Sequence, residues 1–319
     1  MMKKLILAAG ALAFMAVAST ATAQDYPTKP VKLIVNFGAG GSTDTVARLV
    51  AAEMSKILGE RVVVANQGGA GGTIGVAATA EGTADGYTIG TANMPALAIM
   101  PQMRELPYAP DDVVQIAGVM PYDYGVFARN GAPYDTWEEL VAYAKENPGK
   151  VTYGSVGTGT TNHLMMERMA KELGIEWRHV PFQGGSKAVA ALVGGHVDLV
   201  NNTIGPVLAP VQAGKIKPII VTSERRFPSL PDMPTVLEKG FGYAQVSYMS
   251  IVAPAGLDDG IRQTLEAAVK QAVESPAVLE AAAKLDLFPS YLPGSDYDAL
   301  LVTMRTDWGA LLSELGIAK

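Results

Sequence analysis

The stretch that most constrains this chain is Phe37-Gly38-Ala39-Gly40-Gly41-Ser42-Thr43-Asp44. Before it runs Val31-Lys32-Leu33-Ile34-Val35, which reads as a buried strand. After it, Val46, Leu49, Val50, Met54, Ile57 and Leu58 recur at helical spacing. A glycine-rich turn therefore joins a strand to the start of a helix. Glycine lets the backbone pass close to a bound group, and the first helical turn offers free N–H groups and a positive dipole end. An anion suits such a place. A plain βα turn with Ser42, Thr43 or Asp44 as its cap would look the same, and capping and ligand contact are compatible roles for Ser42 and Thr43. Asp44 fits the cap or turn role better, because a carboxylate beside an anion repels it.

A second stretch repeats the pattern. Val151 to Ser155 reads as a strand, Val156-Gly157-Thr158-Gly159-Thr160-Thr161 as a turn, and Met165, Met166, Met169, Ala170 and Leu173 as a helical stripe. Two such units suggest two lobes presenting helix starts to one ligand. Between them, Arg61 to Asn66 is a strand, followed by the glycine-rich Gly68 to Gly75 and a short helix to Ala80. Tyr87 to Thr91 is a further strand ending at Ala92-Asn93-Met94-Pro95. Strands alternating with helices mean a parallel sheet, whose ligands sit beyond the carboxyl ends of the strands. That puts Asn93 on the rim with Ser42.

Apolar strand material surrounds Pro121, and a helix runs from Trp137 to Lys145. A second α/β lobe then reads as strand 151–155, helix 162–173, strand 178–182, helix 186–193, and strands 197–203 and 217–222. Phe182-Gln183-Gly184-Gly185 and Asn201-Asn202-Thr203 close strands in this lobe and should face the cleft. Pro231 to Lys239 reads as a short helix and Gln245 to Val252 as a strand. Two late helices carry apolar stripes, one through Ile261, Leu265 and Val269 and one through Leu301, Met304, Trp308 and Leu312. They return the chain to the first lobe, giving residues 24–124 with 248–319 as one lobe and 125–247 as the other.

Composition narrows the function. Hydrophobic residues make up 49% and charged residues 18%, as in a well-buried globular protein. The net charge is −6 with no basic cluster, which argues against nucleic acid. Without cysteine there is no disulfide, thiolate site or cysteine nucleophile. His163, His179 and His196 lie in no zinc-type spacing, so no metal is expected, and the glycine fingerprints of nucleotide sites are absent. No cofactor is implied. The N-terminus reads as an export signal over residues 1–23: Lys3 and Lys4, an apolar run from Leu5 to Val17, and Ala21-Thr22-Ala23 before Gln24. Cleavage would remove two lysines and no acid, taking the charge from −6 to −8.

Taken in order, Tyr26-Pro27-Thr28-Lys29-Pro30-Val31, Phe37 to Asp44, Asn66 to Gly75, Asp85-Gly86-Tyr87, Gly157 to Leu164, Gly195-His196-Val197-Asp198, Ala213-Gly214-Lys215 and Pro231 to Thr235 resemble the Bug (TctC-like) family of solute receptors of tripartite tricarboxylate transporters. The resemblance spans essentially the whole mature chain. It implies an α/β, two-lobed periplasmic binding protein (type II-like, a Venus flytrap), each lobe a mostly parallel sheet flanked by helices. It further implies a monomer that closes on a small organic carboxylate and passes it to the transporter's integral membrane subunits. In the family, backbone N–H groups and ordered waters at two βα loops hold the carboxylate, and those loops match 37–43 and 155–161 here. The family often has proline at Ala39 and a more acidic pair at Asn202-Thr203. The residues expected to contact ligand are Phe37, Gly40, Gly41, Ser42, Thr43, Asn93, Ser155, Gly157, Thr158, Gly159, Thr160, Thr161, Phe182 and Asn202. A periplasmic sensor feeding a signalling partner is the alternative. A secreted hydrolase fits less well, since Ser155 stands in no G-x-S-x-G elbow.

Overall fold

The structure, a computed structural model, describes residues 26–319. The expected export signal lies outside the described residues. In chain order the elements are β1 (Val31–Val35), α1 (Ser42–Leu58), β2 (Val62–Asn66), α2 (Thr73–Ala80), β3 (Thr88–Asn93), β4 (Val113–Pro121) and β5 (Tyr124–Arg129). Then come α3 (Trp137–Glu146), β6 (Val151–Ser155), α4 (Thr161–Leu173), β7 (Trp177–Pro181), α5 (Gly185–Val193), β8 (Leu199–Thr203), α6 (Ile204–Gln212) and β9 (Ile216–Val221). The chain closes with β10 (Tyr248–Pro254), α7 (Asp259–Val273), α8 (Pro276–Ala283), β11 (Leu292–Pro293) and α9 (Gly294–Leu315).

Two sheets organise these elements. One has the order β11-β4-β10-β3-β1-β2 and the other β7-β6-β8-β5-β9. Each contains a parallel trio, β2-β1-β3 in the first and β7-β6-β8 in the second. In each, the next strand joins antiparallel: β10 beside β3, and β5 beside β8. The strand order reverses at β1 in one sheet and at β6 in the other. A crevice opens at such a reversal, beyond the strand's carboxyl end. The two glycine turns leave from those two strand ends.

Helix α1 shows why the local sequence folds as it does. Val46, Ala47, Val50, Ala51 and Met54 are buried along one face, and Gly59 ends the helix with a left-handed φ of 74°. Leu49 and Ile57 sit at the margin of that stripe, Ile57 being exposed. Met165, Met166 and Met169 of α4 pack with Tyr134, Trp137 and Trp177 in a core of the second lobe. Helix α9 starts on the first sheet and ends beside the second, where Leu312 packs with Ile99 and Leu164.

Several sequence expectations change. The apolar material around Pro121 becomes two strands in different sheets, β4 and β5, because the chain crosses between lobes there. Pro231 to Lys239 forms no helix. Instead Val221 and Thr235 make a bridge, with the Val221 N–H donating to Pro234 O and the Val236 N–H to Val221 O. The prolines leave that segment short of donors, and the edge of β9 offers its backbone better partners. Helix α6 was hidden by Gly205, Pro206 and Pro210. Pro206 falls in the first turn, where a missing N–H costs nothing, and Pro210 lies inside the helix. The strand expected over 245–252 is β10, shifted to 248–254. Among the described residues no helix is long and apolar enough to cross a membrane.

Candidate functional site

Between the lobes lies a narrow hollow of about 30 Å³, which opens toward solvent. Its wall takes Phe37, Gly41, Ser42, Thr43, Asn93, Pro95 and Tyr122 from the first lobe's side. The second contributes Tyr124, Val156, Thr160, Thr161, Asn162, Gly185, Asn202 and Thr203. The wall carries hydroxyls, amides and aromatic rings, and no charged side chain.

Four helices begin at this wall: α1 after Gly41, α4 after Thr160, α5 after Gly184 and α6 after Thr203. None of the four receives a side-chain cap. Of the other helices, α3, α7 and α8 are capped by Thr136, Asp258 and Ser275, whereas α2 and α9 are also without a side-chain cap. A helix start left without a cap keeps orphan N–H donors and the positive end of its dipole. Four of them turned on one hollow make it attractive to negative charge without a cation.

The side chains around the starts are held in place. Asp44 does not cap α1. Its carboxylate accepts the Gly40 N–H at 2.9 Å and the Asn66 Nδ2 at 2.8 Å, and pairs with Arg48 at 2.9 Å. Burial pushes this carboxyl up, but the bonds from Arg48, Gly40 and Asn66, with the charge of Arg48, outweigh burial and hold it below the usual range. Such a lowered group contributes stability above its ordinary pKa, and the contribution is lost as pH falls through the folded value. Asp44→Asn should therefore lower stability at neutral pH by about 1–2 kcal/mol, read as a reduced denaturation midpoint. An unchanged midpoint would show that the turn holds itself.

At the start of α4, Thr161 Oγ1 accepts from Gln245 Nε2 at 3.2 Å, and Gln245 Oε1 accepts from Asn201 Nδ2 at 2.9 Å and Thr222 Oγ1 at 2.8 Å. Asn162 and Asn201 exchange side-chain-to-backbone bonds. Gln245 lies between β9 and β10, where the chain returns to the first sheet, so this buried network ties the return crossing to the hollow. Asn202 Nδ2 donates to Gly185 O at 3.0 Å and its Oδ1 accepts the Thr203 N–H at 2.9 Å, joining the starts of α5 and α6. Tyr122 bonds Thr43 through their hydroxyls at 2.7 Å. Burial raises the Tyr122 hydroxyl well above its ordinary pKa and the Tyr124 hydroxyl to about 12, so both remain neutral.

The lobes meet at the mouth. Ser42 Oγ lies 2.7 Å from Thr203 Oγ1, and Ser186 Oγ donates to Ala39 O at 3.2 Å. Elsewhere main chain faces main chain. A Cβ on Gly157 would lie 2.9 Å from Gly71 Cα, and one on Gly38 would lie 3.3 Å from Gln183 O.

Of the residues expected to contact ligand, Phe37, Gly41, Ser42, Thr43, Asn93, Thr160, Thr161 and Asn202 line the hollow. Gly40, Gly157 and Gly159 sit at the seam, against Ser186, Gly71 and the methionine pair Met100 and Met103. Thr158 is exposed, Ser155 is fully buried behind the wall, and Phe182 packs on Gly154. Gly185 and Thr203, read as facing the cleft, do line it. Val156 opens the turn read at 156–161 without having been expected to contact ligand, and Tyr122, Tyr124 and Asn162 lie in no turn read from the sequence. The two tyrosines follow Pro121 at the crossing from β4 to β5, which is their one available clue. Among the described residues no cluster of acids and histidines could hold a metal.

Two α/β lobes closing on one hollow at the reversal points of their sheets define a periplasmic binding protein. The periplasmic binding protein BugD shares this fold: TM-score 0.87, 31% identity, covering 92% of this chain and 100% of that one. The model of the tripartite tricarboxylate transporter family receptor matches residues 46–317, and the chain belongs to that family of receptors, which are not enzymes. A UPF0065 protein of Cupriavidus necator, from the gbd 5' region, is 37% identical over 314 residues, 98% of this chain and 95% of that protein. The structure of Rpa4515 from R. palustris with adipate has a TM-score of 0.87 at 28% identity, covering 92% of this chain and 99% of that one.

Proposed function

We propose that this receptor binds a small organic carboxylate in the hollow between its lobes and delivers it to the membrane subunits of a tripartite tricarboxylate transporter. The observation that carries this is the meeting of four uncapped helix starts on a wall rich in donors and free of charged side chains. The adipate held by the related Rpa4515 agrees with it. Hydrogen bonds to a charged group contribute about 1.5–3 kcal/mol each. A handful, less the cost of ordering the ligand, reaches roughly −8 kcal/mol, a micromolar dissociation constant. No arginine is needed. The chain's negative charge opposes the anion only weakly, because screening acts within about 8 Å.

Residues 24–124 with 248–319 and residues 125–247 then act as the two jaws. Ligand contacts from both favour the closed form, which is the form a membrane partner would recognise. Residues 1–23 direct the chain to the periplasm and are removed there, and the mature receptor works as a monomer. A thermal-shift panel of carboxylates, including succinate, malate, citrate and adipate, tests the reading. At about a thousandfold excess over Kd, a cognate acid should raise Tm by roughly 5–10 °C, while neutral sugars and amines leave it unmoved. A panel without any responding acid would end the proposal.

A further inference from the structure

Behind the α4 loop lies a feature that the ligand reading does not use. His179 of β7 and His163 of α4 pack with ring centroids 4.2 Å apart and their planes tilted by 38°. On its other contact the His179 ring stacks on Tyr153, at 5.0 Å. His179 Nε2 is 2.6 Å from Ser155 Oγ, and that oxygen accepts the Gly157 N–H at 3.1 Å. His163 Nδ1 accepts the Gly159 N–H at 3.4 Å. Thr160, the residue before α4, is bonded to the same turn through Gly157 O at 2.7 Å. The two imidazoles thus grip the loop at its start and its middle, from the side away from the hollow.

The pair resembles a serine–histidine catalytic couple only in its distance. Ser155 is fully buried and does not reach the hollow. His179 has rings for neighbours, where a catalytic base would have an orienting carboxylate. Charged groups on the elements packed around the pair have other partners or face solvent. Glu167 of α4 accepts the Tyr153 hydroxyl at 2.5 Å, and Arg168 lies 3.4 Å from the centre of the Tyr243 ring. Asp198, which precedes β8, pairs with Arg129 of β5 at 2.9 Å. Glu176 and Arg178, at β7, are exposed.

We propose that the packed His163–His179 pair is the positioning device of the 155–161 loop, holding Ser155 and Gly159 through neutral imidazoles so that the α4 start is preset for its ligand. This rests on the reading of that loop as a ligand-binding one. Protonation of His163 would cost it the lone pair that receives Gly159, and two imidazolium rings at this spacing would repel. Burial agrees with the neutral state: it lowers His163 to about 4, and burial with the His163 charge lowers His179 to about 3.

The test compares wild type with His179→Phe, His179→Gln and Ser155→Ala. Amide exchange is followed in the ligand-free protein, and adipate affinity from about pH 8 to about pH 6, the range in which an ordinary histidine titrates. In His179→Phe, Gly157 and Gly159 should exchange at least about tenfold faster and affinity should fall about tenfold. His179→Gln, which can reach Ser155 without titrating, should recover most of both. Ser155→Ala should loosen Gly157 with the ring stack untouched. Wild-type affinity should be flat over that pH range. Unchanged exchange in both His179→Phe and Ser155→Ala would overturn the proposal. So would adipate binding that tightens as pH falls through about 6.5, since the imidazoles would then be acting as cations. If adipate binds no variant and not the wild type, exchange still decides the positioning role, and the failure belongs to the ligand reading.

Discussion

Ser42→Asp should weaken carboxylate binding by more than a hundredfold while leaving the ligand-free protein folded. Ser42 is the first residue of α1, is 4% exposed, and lines the hollow. A carboxylate there stands where the ligand's own charge must sit. Two like charges about 4 Å apart repel by about 4 kcal/mol at the effective dielectric of such sites. The same substitution suits the helix itself, because an acid in the first turn complements the dipole. Loss of binding and loss of fold are therefore separable. Titration calorimetry with the acid giving the largest thermal shift measures the first, and denaturation of the free protein the second. Ser42→Asn, without the charge, should lose only about tenfold. If the aspartate variant bound within threefold of wild type, Ser42 and the α1 start would have to be removed from the site.

The second large effect concerns closure. Gly157→Ala places a methyl group 2.9 Å from both Cα and N of Gly71, main-chain atoms of the opposite lobe that no rotamer change can move aside. The lobes must then stay apart, and affinity should fall by about 10- to 100-fold, as one jaw's contacts are lost. Gly157 also has φ +139°, so alanine there is strained in any state. Gly195→Ala supplies the control: its φ is +71°, yet a methyl group there meets nothing within 4 Å. That variant should lose about 1 kcal/mol of stability and none of the binding. Small-angle scattering gives the structural readout. Wild type should contract on adding ligand and Gly157→Ala should not. Equal contraction in both would show that the seam yields, and that Gly157 does not gate it.

The two glycine turns, at 37–44 and 156–161, announced themselves because positive-φ glycines and uncapped helix starts leave a compositional mark. Gly40, Gly157 and Gly159 have φ of 80°, 139° and 82°. Such a signal locates the loops but not the direction in which each residue points. Thr158 is exposed in the turn beyond β6, while Ser155, at the end of β6, meets His179 of the neighbouring β7, a contact invisible to local pattern. Tyr122 and Tyr124 escaped notice for a different reason. They reach the hollow from the crossing between sheets, so their role depends on contacts far apart in sequence. Helix α6 was missed because Pro206 and Pro210 speak against a helix locally, whereas burial of Ile204, Val207 and Leu208 overrides them.

The mouth, where glycine backbone abuts glycine backbone, has one more consequence. The main-chain part of a closing surface has little chemical identity to lose, so its shape is insensitive to most changes elsewhere. Asn202 and Tyr122 stand inside that border and take no part in the Gly71–Gly157 and Gly38–Gln183 contacts. A lineage of such receptors is thereby free to change its diet by altering the chamber's furniture while keeping one unaltered gesture of shutting, the only signal a downstream partner would have to read.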